Sequence, residues 1–287
     1  MKQDKGDNKF RVVRNVYYSL DQQKDEAVYT YEIQFKRIGK NEFTVELSNF
    51  FYRDTAKDSL VDSTVRNLLE EYQSVFFPVL LDIKEDVCFI KNKEIIIERI
   101  ENKNRELRLD SKYLIDSDTA KNKNISRYHV IDDMKKFFLK NATNDYIMED
   151  TCSKGMMEVL LFSLGKIKND NNYDLKFNLS PFNSKVNWEC KKISEDDRNV
   201  VKYIGEIKRS KKLFKELKRY QKLEGSFLNT IKSETPIHSI LNHAVHFDPV
   251  KSSFDFFEMD IIVKHDFYDY KETIYISAIN QKELTNE

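Results

Sequence analysis

Tyr29-Thr30-Tyr31-Glu32-Ile33-Gln34-Phe35-Lys36, the turn Gly39-Lys40-Asn41, and Phe43-Thr44-Val45-Glu46-Leu47-Ser48 decide the fold class. Apolar and polar residues alternate on both sides of a glycine turn, and a strand sends successive side chains to opposite faces. The pattern is a β-hairpin with one buried and one wet face, which belongs to an antiparallel sheet. Upstream, Phe10, Val12, Val16, Tyr18 and Leu20 repeat the alternation and predict a further strand.

Past this hairpin the period changes. Val61, Val65, Leu68, Leu69, Tyr72, Val75 and Phe76 form one stripe of an amphipathic helix that Pro78 ends. Val79–Lys84 and Val87–Lys91 read as a second hairpin across Glu85-Asp86, and 92–109 as a helix opening at an Asn cap. Residues 112–168 are mostly helical in pattern, with apolar clusters at 131–140 and 154–164, and 166–172 is the linker candidate. Strand patterns return at 173–179, 185–192 and 199–208, followed by a basic helix at 210–223 and two strands at 254–264 and 270–279. Within 254–264, Phe254 and Phe256 share one parity while Phe257, Met259, Ile261 and Val263 share the other. Such a shift marks a β-bulge or a strand buried on both faces.

Each half thus reads as three strands, a helix and a two-strand hairpin. The expectation is an α+β fold of antiparallel sheets with helices packed on them and a helical middle segment. Two sheets would follow if the halves are a structural duplication. Three segments are expected: an N-terminal α+β lobe at 8–110, the helical segment at 111–168, and a C-terminal α+β lobe at 169–287.

Composition excludes several classes of function. The six glycines, at 6, 39, 155, 165, 205 and 225, never cluster. Phosphate-cradling loops need clustered glycines for their tight turns, so Walker, dinucleotide and kinase loops are all missing, as is a G-x-S-x-G elbow. Lys plus Arg equals Asp plus Glu at 48 each, which argues against a general nucleic-acid binder. Twenty Phe and 15 Tyr supply ample core and argue against disorder. Cys88, Cys152 and Cys190 are odd in number and far apart, which suits buried free thiols in a reducing compartment. With no apolar leader and no long apolar run, a cytoplasmic protein is expected.

Three constellations bear on chemistry. Glu206-x-Lys208 at the end of a strand matches the second half of a D…(D/E)xK nuclease. There carboxylates hold Mg²⁺, with Asp197 or Glu189 upstream and Glu158 as a helical third. Composition alone produces on the order of eight acid-x-base triplets, so the ordinary reading is a solvent-facing charge pair. His238, His243 and His246 would make the metal alternative, but their spacing does not bring all three to one face of a helix or strand. Loop or sheet-surface histidines are the ordinary reading. The best binding feature is the basic helix, where Lys211, Lys212, Lys215, Lys218, Arg219 and Lys222 interleave with Leu213, Phe214, Leu217 and Tyr220. An apolar stripe docks such a helix and leaves its cations outward, unless Glu195-Asp196-Asp197 or Asp255, Glu258 and Asp260 neutralise them. No cofactor is expected.

Residues 77–100, Phe-Pro-Val-Leu-Leu-Asp-Ile followed by Cys-Phe-Ile-Lys-Asn-Lys-Glu-Ile-Ile-Ile-Glu-Arg-Ile, and 246–259, His-Phe-Asp-Pro-Val then Ser-Phe-Asp-Phe-Phe-Glu-Met, carry a resemblance. They resemble stretches of uncharacterised bacterial α+β proteins associated with type VI-like contractile injection loci. That resemblance implies a cytosolic accessory, adaptor or immunity-type protein that binds another protein. The function expected is therefore non-enzymatic protein binding to an acidic or mixed partner surface. A Mg²⁺-dependent nuclease and a carrier of an apolar ligand are the alternatives.

Overall fold

The computed structural model describes residues 8–20, 23–54, 60–84, 87–143, 152–163, 172–180, 185–196, 200–207, 211–223, 237–248, 253–266 and 268–279. Period-two alternation gives β1 (Asn8–Leu20), β2 (Gln23–Arg37) and β3 (Glu42–Asp54). They are followed by α1 (Leu60–Phe76), β4 (Val79–Lys84), β5 (Val87–Ile90) and α2 (Lys93–Leu107). The middle holds α3 (Ser117–Asn122), α4 (His129–Ala142) and α5 (Met156–Ser163). Then come β6 (Asn172–Asn178), β7 (Lys185–Asp196), β8 (Val200–Ile207), α6 (Lys211–Leu223), β9 (His238–Asp248), β10 (Ser253–His265) and β11 (Tyr268–Ala278).

The fold is α+β and its sheet is antiparallel. All the described strands lie in one eleven-stranded order, β5-β4-β3-β2-β1-β11-β10-β9-β8-β7-β6, in place of the two sheets that a duplication suggested. The cause is the position of β1, which has β2 on one side and the late strand β11 on the other. After α6 the chain also makes three strands, because β9 runs through the segment that its histidines had marked as loop or sheet surface. Of the two readings of the parity shift in 254–264, a bulge or burial on both faces, the bulge is present: the β9–β10 register shifts between Phe254 and Phe256. The predicted linker lies outside the described residues, apart from Asn172 at the start of β6.

Two compact units divide the chain. One takes the described residues of Met1–Arg11, Thr30–Cys152 and Ile279–Glu287. Its core is built by Ile33 and Phe35 of β2, Phe43 and Val45 of β3, Leu81 of β4, and the i, i+4, i+8 stripe Leu68, Tyr72 and Phe76 of α1. Phe138 of α4 stacks on Tyr72 with ring centroids 5.5 Å apart. The Tyr72 hydroxyl donates to the Ile131 carbonyl at 3.3 Å and accepts from Asn104 Nδ2 at 2.9 Å, so its burial leaves no polar atom unmatched. Asn92 stands at the N-cap position of α2, but its side chain does not cap the helix. Its Oδ1 accepts from Leu80 N–H at 2.8 Å and its Nδ2 donates to the Pro78 carbonyl at 3.1 Å, which ties α2 to β4.

The second unit takes the described residues of Val12–Tyr29 and Ser153–Ala278. Trp188, Tyr203, Val245, Phe257, Met259, Ile261 and Ile274 point to the buried face of its strands, and Met156, Val159 and Leu160 of α5 are buried with them. Each such side chain contributes about 1.5–3 kcal/mol when fully buried. Cys88, Cys152 and Cys190 are buried and none is in a disulfide, as expected. Among the described residues no helix is long and apolar enough to cross a membrane.

Candidate functional site

α6 forms because its apolar residues recur at helical spacing. Leu213 and Leu217, four positions apart, are buried, and the Phe214 ring meets the His265 ring edge-on at 6.2 Å. The opposite face is basic: Lys215 and Arg219 are exposed and Lys218 is half-buried. None of these three cations pairs with a carboxylate among the described residues. Of the acids that could have neutralised them, Asp255 and Asp260 are exposed on β10, and Glu258 Oε1 stands 3.9 Å from His246 Nε2. The side chains of Lys211, Lys212 and Lys222 lie outside the described residues.

The nuclease residues are only partly placed. Glu206 is exposed on β8, and Glu189, also exposed, is its direct cross-strand partner on β7. Asp197 and Lys208 lie outside the described residues. Glu158 does not join that pair. From α5 its Oε2 reaches 3.4 Å from Nδ1 of His243, whose side chain is fully buried.

The histidines do not converge. His238 is exposed, His243 is buried, and His246 is half-buried, where its ring meets Phe256 edge-on at 5.6 Å. No group of three or more metal-ligating side chains occurs among the described residues. His243 is a core residue and neither a surface nor a loop histidine. Its ring lies 4.6 Å from Tyr203 and 5.7 Å from Phe257, and burial lowers its pKa to about 3. The parity of Leu241, His243 and Val245 was the signal for this, since all three alternate inward.

The face of the second unit's strands opposite the core carries exposed apolar side chains. Ile204 of β8, Ile240 of β9 and Tyr275 of β11 are exposed there, and Ile240 pairs directly with Ile262. Phe256 stacks on Tyr275 with centroids 5.8 Å apart. The aromatic residues after the bulge of β10 are therefore divided, with Phe257 in the core and Phe256 half-buried on the opposite face.

The sequence reading missed a buried charge cluster. Glu272 of β11 accepts from Arg14 Nε, Lys154 Nζ and the Tyr270 hydroxyl, and the Lys154 ammonium also lies 4.8 Å over the Phe177 ring. Burial alone would push the Glu272 carboxyl upward, but Arg14 and Lys154 outweigh it and hold it at about 2. The donors satisfy this carboxylate within the core.

No family model matches the chain, and no curated protein matches its sequence. Among solved structures it is similar to one described as "Lipid-protein interactions in lipovitellin", at 9% identity and a TM-score of 0.42, over 98% of this chain and 26% of that one. It is also similar to the dehydratase domain from the CurJ module of curacin polyketide synthase, at 10% identity and a TM-score of 0.11, over 96% of this chain and 77% of that one. The chain thus spans about a quarter of the length of the lipovitellin chain. Likenesses this distant carry no argument about function.

Proposed function

We propose that this chain is a non-enzymatic, cytosolic protein-binding component of the accessory, adaptor or immunity type. Its contact surface is the outer face of α6, and its partner presents an acidic or mixed surface. One observation carries the reading: Lys215, Lys218 and Arg219 have no carboxylate partner among the described residues, while Leu213 and Leu217 anchor the same helix. Unpaired surface cations steer an oppositely charged partner and fix its orientation more than they add affinity. The exposed Ile204, Ile240 and Tyr275 supply apolar area of the kind that contact surfaces use.

The test is affinity capture from the native host with the wild-type chain and with Lys215→Glu/Lys218→Glu/Arg219→Glu. A partner held by wild type and lost by the triple variant, at unchanged thermal stability, is the expected result. Identical capture by both proteins would refute the reading.

A Mg²⁺-dependent nuclease is the second reading, favoured by the register that sets Glu189 opposite Glu206. Incubation with DNA and RNA plus Mg²⁺ separates the two. Cleavage abolished by Glu206→Ala and by Lys208→Ala would install the nuclease.

A further inference from the structure

β3 pairs with β4 only over Glu42–Val45, and the last partner of the ladder is Val79. The sequence explains the stop. Two positions before Val79, the next residue whose backbone would turn toward β3 is Phe77, and its N–H is already committed to the Gln73 carbonyl at 3.2 Å. β3 nonetheless continues to Asp54. From Glu46 onward, its β4 side has no strand partner among the described residues.

Ladder alternation says which groups face that side. The Asn41 carbonyl accepts from Ile83 N–H at 2.9 Å, so Asn41, Phe43 and Val45 turn their hydrogen-bonding groups toward β4. Leu47 is next in that series, and Asn49, at φ 51°, interrupts the regular strand after it.

A groove of about 460 Å³ runs beside this edge, between residues 46–50 of β3 and the last turns of α1. Its lining holds two carboxylates, Glu46 and Glu70, and neither Lys nor Arg. Lys36 and Arg66 reach those carboxylates from outside the lining, at 2.9 and 3.9 Å, in pairs open to water. Exposed pairs of this kind are worth about 0–1 kcal/mol, so an incoming cation displaces them at little cost.

We propose that the β3 edge takes up an extended segment of a partner protein by strand addition, with lysine or arginine side chains of that segment facing Glu46 and Glu70. Backbone pairing at Leu47 gives the affinity and the two carboxylates give the charge preference. This surface belongs to β3 and α1 and does not rest on the α6 reading.

The probes are fluorescein-labelled peptides, Thr-Lys-Val-Lys-Val-Lys-Thr with capped ends and the same peptide with Glu in place of Lys, followed by anisotropy. The Lys peptide is expected to bind at least about tenfold tighter than the Glu peptide. Two further analogues carry N-methyl groups on the Lys or on the Val positions. Strand addition uses the N–H groups of one parity only, so one analogue loses binding and the other keeps it. Glu46→Lys/Glu70→Lys reverses the peptide preference without touching the backbone. Equal affinities, no binding up to about 1 mM, indifference to methylation at both parities, or an unreversed preference in the double variant would each overturn the proposal. Self-association of the chain that Glu46→Lys/Glu70→Lys abolishes, seen by sedimentation, would instead assign the edge to a second copy and overturn it equally.

Discussion

Lys154 donates its ammonium to the carboxylate of Glu272, 118 positions further along the chain, and both side chains are buried in the same compact unit. The pair anchors the residue just ahead of α5 to β11. A buried pair that loses one partner leaves a charge in the core without its counter-charge, at a cost of about 3–5 kcal/mol. Lys154→Met is therefore expected to be strongly destabilising. Lys154→Met/Glu272→Leu is expected to cost far less than the two single changes summed, because Arg14 keeps a partly exposed side chain and turns to water. Trp188 is the chain's single tryptophan and is fully buried, so urea unfolding followed by its fluorescence reads this unit. Additive losses would refute the coupling.

Two depressed pKa values make the same unit acid-sensitive in two stages. An unfolded histidine titrates near about 6.5. Burial holds His243 at about 3 in the folded chain, even with Glu158 Oε2 at 3.4 Å. Below about pH 6.5 the unfolded state takes up a proton that the native state refuses, so stability falls by about 1.4 kcal/mol per pH unit. Glu272, held at about 2, acts lower down. Its contribution is whole above the unfolded carboxyl pKa of about 4.3 and is lost as pH falls toward the folded value. Urea midpoints should therefore drop from about pH 6.5 downward and steepen below about 4.5. His243→Phe removes the upper limb and leaves the lower. A flat profile between pH 7 and 5 in the wild type would contradict this account of His243.

Elements whose pattern is local were legible in the chain. The hairpin about Gly39-Lys40-Asn41, the α1 stripe closed by Pro78, and the basic α6 all follow from the spacing of neighbouring residues. β9 was legible in principle, since Leu241, His243 and Val245 alternate inward, but three histidines drew the reading toward surface and metal chemistry. Glu272 also carried a signal: it occupies the inward parity of Tyr268, Tyr270, Ile274 and Ile276, where a charge needs a partner. Its partners Arg14 and Lys154 could not be found that way, because pairing across more than a hundred positions leaves no periodic trace. The single sheet was hidden for the same reason, as no local pattern says that β11 will lie beside β1.

Among the described glycines, Gly155 is the one whose replacement should be felt most. It has φ +78°, a region that side chains enter at a cost of about 1–3 kcal/mol, and a Cβ there would overlap the Phe257 ring. Phe257 is fully buried and cannot swing aside. Gly155→Ala is expected to cost about 2–6 kcal/mol, the backbone and overpacking terms together. Adding Phe257→Leu should recover the overpacking part and leave the backbone part. A variant as stable as wild type by Trp188 fluorescence would show that the α5 entry does not pack as described.

Glu189 and Glu206 face one another across β7 and β8, both exposed. Like charges set directly opposite on a sheet destabilise it, and an opposite-charge pair contributes about 0.2–1 kcal/mol in the other direction. Glu206→Lys is therefore expected to raise the unfolding midpoint slightly. The same pair discriminates between the two functional readings. If it is only a surface feature, millimolar Mg²⁺ leaves the wild-type midpoint where it was, because nothing binds the native state preferentially. If the carboxylates hold an ion, Mg²⁺ raises the midpoint, and Glu206→Gln and Glu189→Gln each abolish the rise. The protein-binding reading expects the first outcome, and the second would bring the nuclease forward even before any nucleic acid is added.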